Sequence, residues 1–183
     1  LRDSQALLEG HFELSSGLHS ERYFQCALVL MDPRRAEGLA RALVEHVSAE
    51  VDVVVGPALG AVIWAHELAR ALGTRALFTE RKDGAMSLRR GFSIAAGEKA
   101  LVVEDVVTTG GSAGEVIDVV QASGGRPVGV ATIVDRSGSN PFAARGLELW
   151  ALATAEAKAW LPKDCPLCAR GDKAVKPGSR TGT

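Results

Sequence analysis

The apolar positions of this chain fall into short aliphatic runs, each followed by a stretch with helical spacing. "VDVVVGP" is a valine run broken by Gly56-Pro57 and predicts a buried strand over residues 51–55. Residues 61–72 have helical composition and stop at Gly73, a residue suited to a helix C-terminus. Further strands are expected over residues 75–79, 99–103, 128–134 and 147–154, with a helix over 112–122 closed by Gly124-Gly125. Toward the N-terminus, residues 1–10 read as a short helix ended by Gly10, and "ERYFQCALVL" (residues 21–30) as a strand. Asp32-Pro33 then opens a helix to about Ser48, with Asp32 as N-cap and Pro33 in the first turn. "KDGAMSLRRG" (residues 82–91) is polar, basic and glycine-containing. It reads as a loop, with pairing possible at Ser87 to Arg89.

Strands alternate with helices, and the strands are continuous aliphatic runs rather than polar/apolar alternations. The expected fold class is therefore α/β, with a central parallel β-sheet flanked by helices on both faces. Ligands bind such sheets beyond the carboxyl ends of the strands, so the informative loops follow Val55, Thr79, Asp105 and Val134. The organisation expected is a single domain over residues 1–170, followed by a disordered tail over 171–183 that is rich in Lys, Gly, Ser and Thr.

Composition narrows the classes. A chain of 183 residues with 46% hydrophobic content can bury a real core. The formal net charge of -1 gives no argument for a nucleic-acid or membrane partner, and no apolar run has transmembrane length. No signal peptide is expected. Three cysteines, Cys26, Cys165 and Cys168, argue against a disulfide scaffold and suit a reducing cytoplasm.

The chemistry concentrates in "ALVVEDVVTTGGSAGEVI", from Ala100 to Ile117. A strand ends in Glu104 and Asp105, and a turn of small residues leads into a helix. The first backbone N–H groups of that helix and its dipole form an anion site. Gly110 and Gly111 let a phosphate approach the backbone, and Thr108, Thr109 and Ser112 offer hydroxyls. The turn contains no Lys and is not G-x-G-x-x-G, so it matches neither a Walker loop nor a dinucleotide fingerprint. Carboxylates aimed at a phosphate would repel it. Carboxylates aimed at neutral hydroxyls fit a ligand with a phosphate at one end and a ribose diol beside it. The competing reading is an ordinary strand-to-helix turn with its acids in surface ion pairs.

At these residues the chain resembles the type I phosphoribosyltransferases, whose signature for 5-phosphoribosyl pyrophosphate (PRPP) is similar to "VVEDVVTTGGS". "GHFELSSGLHSERYFQ" and "VDRSG" resemble the orotate-specific members, and "CPLC" resembles a short bacterial branch of them. The resemblance implies the type I fold with a small N-terminal hood over residues 1–30. It implies transfer of the phosphoribosyl group from PRPP to orotate in pyrimidine (UMP) synthesis, with Mg2+ as cofactor and a cytoplasmic homodimer as the assembly. The PRPP loop carries over to Glu104, Asp105, Val106, Val107, Thr108, Thr109, Gly110, Gly111 and Ser112. Orotate contacts carry over to Thr108 and Arg136, with Tyr23 and Phe24 stacking near the pyrimidine; as plain sequence the two aromatics equally suit a strand core. The mobile catalytic loop corresponds to residues 82–91, with Gly84 and Gly91 as hinges.

The pattern also departs from the family. Ser15 stands where many relatives carry Lys, and Leu59-Gly60 where they carry Tyr-Lys. The loop has no His. Lys82, Arg89 and Arg90, with Arg81 as an alternative to Lys82, are the expected replacements beside Asp105 in catalysis. Arg136 suits a planar carboxylate, which orotate has and adenine lacks; its bland role is an ion pair with Asp135 or a plain surface charge. The other readings are a purine or other base phosphoribosyltransferase, and a PRPP-sensing regulator.

No protein metal site is expected. His11, His19, His46 and His66 are scattered; His46 and His66 read as helix residues, and His19 lies near the presumed site. Cys165-Pro-Leu-Cys168 is half a zinc-ribbon pattern without its second half. Packing thiols, a redox pair and a zinc site shared between subunits remain open, with packing favoured.

Overall fold

A computed structural model describes residues 6–14, 17–155 and 158–177. Ser15, one of the departures noted above, lies outside them. The chain forms two compact units, Leu30–Ala155 and a second assembled from Leu1–Val29 and Glu156–Thr183.

In the terminal unit, β1 (Leu7–Glu13) pairs antiparallel with β2 (His19–Phe24). The helix expected over residues 1–10 is thus a strand where it is described. The pairing register shifts between Glu9 and Phe12, so Gly10 sits in an irregular stretch of strand instead of ending a helix. The strand expected to reach Leu30 stops at Phe24, and Ala27–Leu30 turns into a short helix, α1.

The larger unit starts with α2 (Pro33–Val44), where the Asp32 carboxylate accepts from the Arg34 N–H at 3.0 Å. Ala36, Ala40 and Leu43 form its buried stripe, and His46 falls in the turn beyond it. After β3 (Val53–Pro57), α3 (Val62–Leu72) buries Trp64, Ala65, Leu68 and Ala69 and ends at Gly73, φ 72°. Then follow β4 (Arg75–Lys82), β5 (Ala85–Leu88), β6 (Lys99–Val107), α4 (Gly111–Ala122), β7 (Arg126–Asp135) and β8 (Leu149–Thr154). The sheet order is β5-β4-β3-β6-β7-β8. Every pairing from β4 to β8 is parallel, and β5 is antiparallel to β4 at the edge. The sheet is therefore mostly parallel rather than wholly so.

Strand alternation divides the valines between two faces. Val53, Val55, Val102 and Val130 pack with Ala113, Val116, Ile117 and Val120 of α4. On the α3 side, a Cβ built on Gly56 would lie 2.9 Å from Ala61 Cβ and 3.1 Å from Val103 Cγ2, so only glycine lets that loop close onto the sheet. Both faces are covered, which explains the unbroken aliphatic runs.

The terminal unit is completed by β9 (Ala159–Trp160), antiparallel to β2, and a short helix, α5 (Pro166–Ala169). The tail expected from 171 onward is ordered through 177. The Val175 N–H donates to His11 O at 2.8 Å, and the Glu13 N–H donates to Val175 O at 2.9 Å. Residues 178–183 lie outside the described part.

Candidate active site

The carboxyl ends of β3, β4, β6 and β7 share one edge of the sheet. β6 runs to Val107, so Glu104 and Asp105 lie within the strand rather than after it. They diverge from there. The Glu104 carboxylate accepts from the Ser112 hydroxyl and the Ala113 N–H, at the start of α4. Asp105 lies against the loop after β3, where a Cβ on Gly60 would come within 3.2 Å of its Oδ1. The lack of a side chain at Gly60 leaves that room. The peptide between Ala58 and Leu59 in this loop is cis.

Both carboxyls titrate above their ordinary range. Burial pushes Glu104 up from 4.5 to about 7, the adjacent Asp105 adds to the rise, and the Ser112 and Ala113 donors oppose it. Burial likewise raises Asp105, against a lowering hydrogen bond from the Val106 N–H at 3.0 Å. Such a pair favours ligands that return hydrogen-bond donors or positive charge.

The turn after β6 is built for close approach. Gly110, the residue before α4, has φ 76° and ψ 10° and caps the helix with no side chain. A Cβ there would lie 2.9 Å from both Phe142 Cζ and Pro141 Cγ. Glycine is thus required by conformation and by space. The first turn of α4 presents backbone N–H groups ahead of the helical ladder.

Arg136 follows β7, and its backbone N–H donates to Val107 O at 2.8 Å, beside Thr108. Burial lowers its guanidinium's pKa from the ordinary value. Asp135, the ion-pair partner considered for it, uses its carboxylate to accept from the Ser137 N–H at 2.8 Å and the Ser137 hydroxyl at 2.6 Å.

The basic segment, read as a loop with pairing possible at Ser87 to Arg89, is a hairpin that pairs through Leu88 and leaves Arg89 beyond the strand. Asp83 (φ 51°) and Gly84 (φ 84°) form the two-residue turn joining β4 to β5, and Ser87 pairs with Glu80. Arg81 bonds Gly84 O at 2.8 Å and pairs with Glu115 of α4 at 2.8 Å, tying the hairpin to the helix. Arg90 is held by Glu80 through two hydrogen bonds, 2.9 and 2.8 Å, and its guanidinium lies 5.7 Å from the Phe78 ring centroid. Lys82 and Arg89 are exposed. Of the basic candidates, Arg81 and Arg90 are therefore already committed to carboxylates in this state.

Residues 32–143 match the model of the phosphoribosyl transferase domain. The chain is 54% identical over 176 residues to an orotate phosphoribosyltransferase of Pelotomaculum thermopropionicum, covering 96% of this chain and 92% of that one. The chain belongs to the orotate phosphoribosyltransferase family. A relative from Heliobacterium modesticaldum is 53% identical, with 98% and 95% covered. Among solved structures, orotate phosphoribosyltransferase from Aeropyrum pernix superposes with a TM-score of 0.69 at 28% identity, over 85% of this chain and 92% of that one. A Mycobacterium tuberculosis orotate phosphoribosyltransferase solved in complex with PRPP gives 0.62 at 30% identity, over 72% and 80%.

Within this family frame, Glu104 to Ser112 and Arg136 come together at one sheet edge. Tyr23 and Phe24 belong to the terminal unit. There Phe24 is buried and Tyr23 packs against Phe12 with ring centroids 5.8 Å apart. The sequence marked Gly60 only as a departure from the Tyr-Lys of many relatives; its place against Asp105 emerges from the fold.

Proposed function

We propose that the protein transfers the 5-phosphoribosyl group of PRPP to orotate, giving orotidine 5-monophosphate and pyrophosphate for pyrimidine nucleotide synthesis. The observation that carries this reading is the joining of Arg136 to the end of β6. Its N–H on Val107 O puts the residue that suits orotate's carboxylate beside the loop that suits PRPP. The 5-phosphate is held by the N–H groups of Gly110 to Ser112 and the hydroxyls of Thr108 and Thr109, joined by the Ser112 hydroxyl once it turns from Glu104. Glu104 and Asp105 accept from the ribose hydroxyls. The bond from C1 of the sugar to pyrophosphate breaks, the bond from C1 to the orotate ring nitrogen forms, and the proton of that nitrogen passes to the departing pyrophosphate or to solvent. Positive charge at C1 in the transition state is stabilised by the nearby carboxylate of Asp105. Arg136 orients orotate through a bidentate pair with its carboxylate, a geometry Lys does not reproduce.

Two buried carboxyls with raised affinity for protons also have a use for a cation, so the donor set fits Mg2+. Asp105 is the residue that would hold it. When bound, Mg2+ would supply positive charge to offset that of the departing pyrophosphate. Lys82, Arg89 and Arg90 of the β4–β5 hairpin contribute further positive charge, Arg90 after leaving Glu80. Closing of this hairpin excludes water from C1. A homodimer in the cytoplasm is the setting we assign. Among the described residues no helix is long and apolar enough to cross a membrane.

The test is a panel of bases incubated with enzyme, PRPP and Mg2+, with nucleotides identified by mass. Orotidine 5-monophosphate is the expected product. A purine nucleotide with no orotate product would replace this reading by a purine phosphoribosyltransferase.

A further inference from the structure

The terminal unit contains a second cluster of chemistry that the transfer reaction does not use. His11 and His19, read as scattered along the sequence, meet across the β1–β2 hairpin with His11 Nε2 and His19 Nδ1 2.9 Å apart. The two cysteines of "CPLC" join them. Cys165 Sγ lies 3.5 Å from His11 Nε2, and Cys168 Sγ lies 3.8 Å from His11 Nε2 and 3.3 Å from His19 Nδ1. All four ligand atoms lie within 4.8 Å of one another. The missing half of the zinc-ribbon pattern is thus two histidines from the other end of the same chain.

We infer that His11, His19, Cys165 and Cys168 form a structural Zn2+ site. Zn–N bonds of about 2.0–2.1 Å and Zn–S bonds of about 2.3 Å in a tetrahedron require ligand atoms about 3.3–3.8 Å apart. Three of the four separations given above fall in that range; the His–His contact must open slightly, and the widest spacing, within 4.8 Å, must close by up to about 1 Å. Two thiolates and two imidazoles select a borderline-soft ion and disfavour Mg2+ or Ca2+, which take oxygen ligands. Four protein ligands leave no open position, so the site holds structure and does no chemistry.

The tautomer is prepared. His11 Nδ1 lies 2.9 Å from the carbonyl of Asp172, so its proton is on Nδ1 and the Nε2 lone pair faces the cluster. His11, His19 and Cys165 are buried, which keeps water away from most of the cluster.

The location gives the ion a purpose. Among the described residues of this unit, the buried apolar side chains besides Cys165 are few: Ala6, Leu14, Phe24, Cys26, Val29 and Leu167. A unit with so small a core, assembled from segments at opposite ends of the chain, gains most from a cross-link. The ion joins β1 and β2 to α5, next to the Val175 bridge that joins the same segments.

The test is metal analysis of the full-length protein, purified with reduced thiols and no chelator. About one zinc per chain is expected. Replacing it by Co2+ should give the intense visible bands of a tetrahedral thiolate site. Cys168→Ser and His19→Gln should each lower zinc content and remove those bands. Should either variant fold poorly, titrating the wild-type thiols with a mercurial settles the matter: zinc release in step with modification supports the site. Wild-type protein with reduced thiols and no zinc, or weak octahedral Co2+ bands only, overturns the inference. So does a Cys165–Cys168 disulfide in freshly isolated protein, which would make the pair redox-active instead.

Discussion

Glu104 offers the sharpest quantitative test of how the site is built. Its carboxyl is raised from 4.5 to about 7 in the folded, ligand-free protein. At about 1.4 kcal/mol per unit, ionising it in place costs about 3 kcal/mol. The sign follows from linkage. Between 4.5 and 7 the folded state holds a proton that the unfolded state has lost, so stability is greatest at low pH and falls as pH rises through this window. Glu104→Gln keeps an oxygen to accept from the Ala113 N–H and cannot ionise. Urea unfolding of both proteins should therefore show the variant gaining on the wild type by about 2–3 kcal/mol between about pH 5 and about pH 8. PRPP should act oppositely. Its hydroxyls donate to the ionised carboxylate, so binding near neutral pH should release protons from the wild type. The variant should bind PRPP roughly 10- to 100-fold more weakly, the loss expected for hydrogen bonds to a charged group. A stability difference that stays flat with pH, within about 0.5 kcal/mol, would refute the claim that Glu104 is held neutral by burial.

The other predictions concern separate parts of the site. Gly110→Ala should destabilise the fold by about 2–4 kcal/mol in chemical denaturation, since it adds the left-handed backbone cost to contacts with Phe142 and Pro141. Arg136→Lys should raise KM for orotate and lower kcat/KM by roughly 30-fold or more in steady-state assays, because the bidentate pair is lost. Arg89→Ala should leave urea stability within about 0.5 kcal/mol, as befits an exposed residue, while lowering kcat at least tenfold; unchanged turnover would remove the hairpin from the mechanism. Arg81→Ala should loosen the hairpin from α4, read as faster amide exchange at Ala85 to Leu88.

The larger unit was legible because its signals are local. Asp32-Pro33, Gly73 and the aliphatic runs each specify an element by themselves, and the Glu104 to Ser112 string specifies a strand, turn and helix together. The terminal unit was not legible, because what decides it is pairing at a distance. Gly10 reads as a helix stop until β2 is known to lie beside it, and Val175 reads as part of a polar tail until β1 offers it a free edge. The basic stretch was half legible: pairing at Ser87 was allowed, but its polar composition hid that Asp83-Gly84 is the turn and that the pairing runs from Thr79 to Leu88. Arg90 looked available because sequence cannot show Glu80 folding back on it across the hairpin. The histidines could not be assigned to a cluster, since their partners stand more than a hundred positions away and only the fold brings the two ends together.

The most direct test of the central claim is to follow orotate consumption and pyrophosphate release together, with wild-type enzyme, PRPP and Mg2+. The predicted result is loss of orotate matched one for one by pyrophosphate and by orotidine 5-monophosphate, with none of the three changes when PRPP is omitted. Pyrophosphate released while orotate stays constant would contradict the account, since it would mean that the site opens PRPP to water and does not pass the sugar to this base.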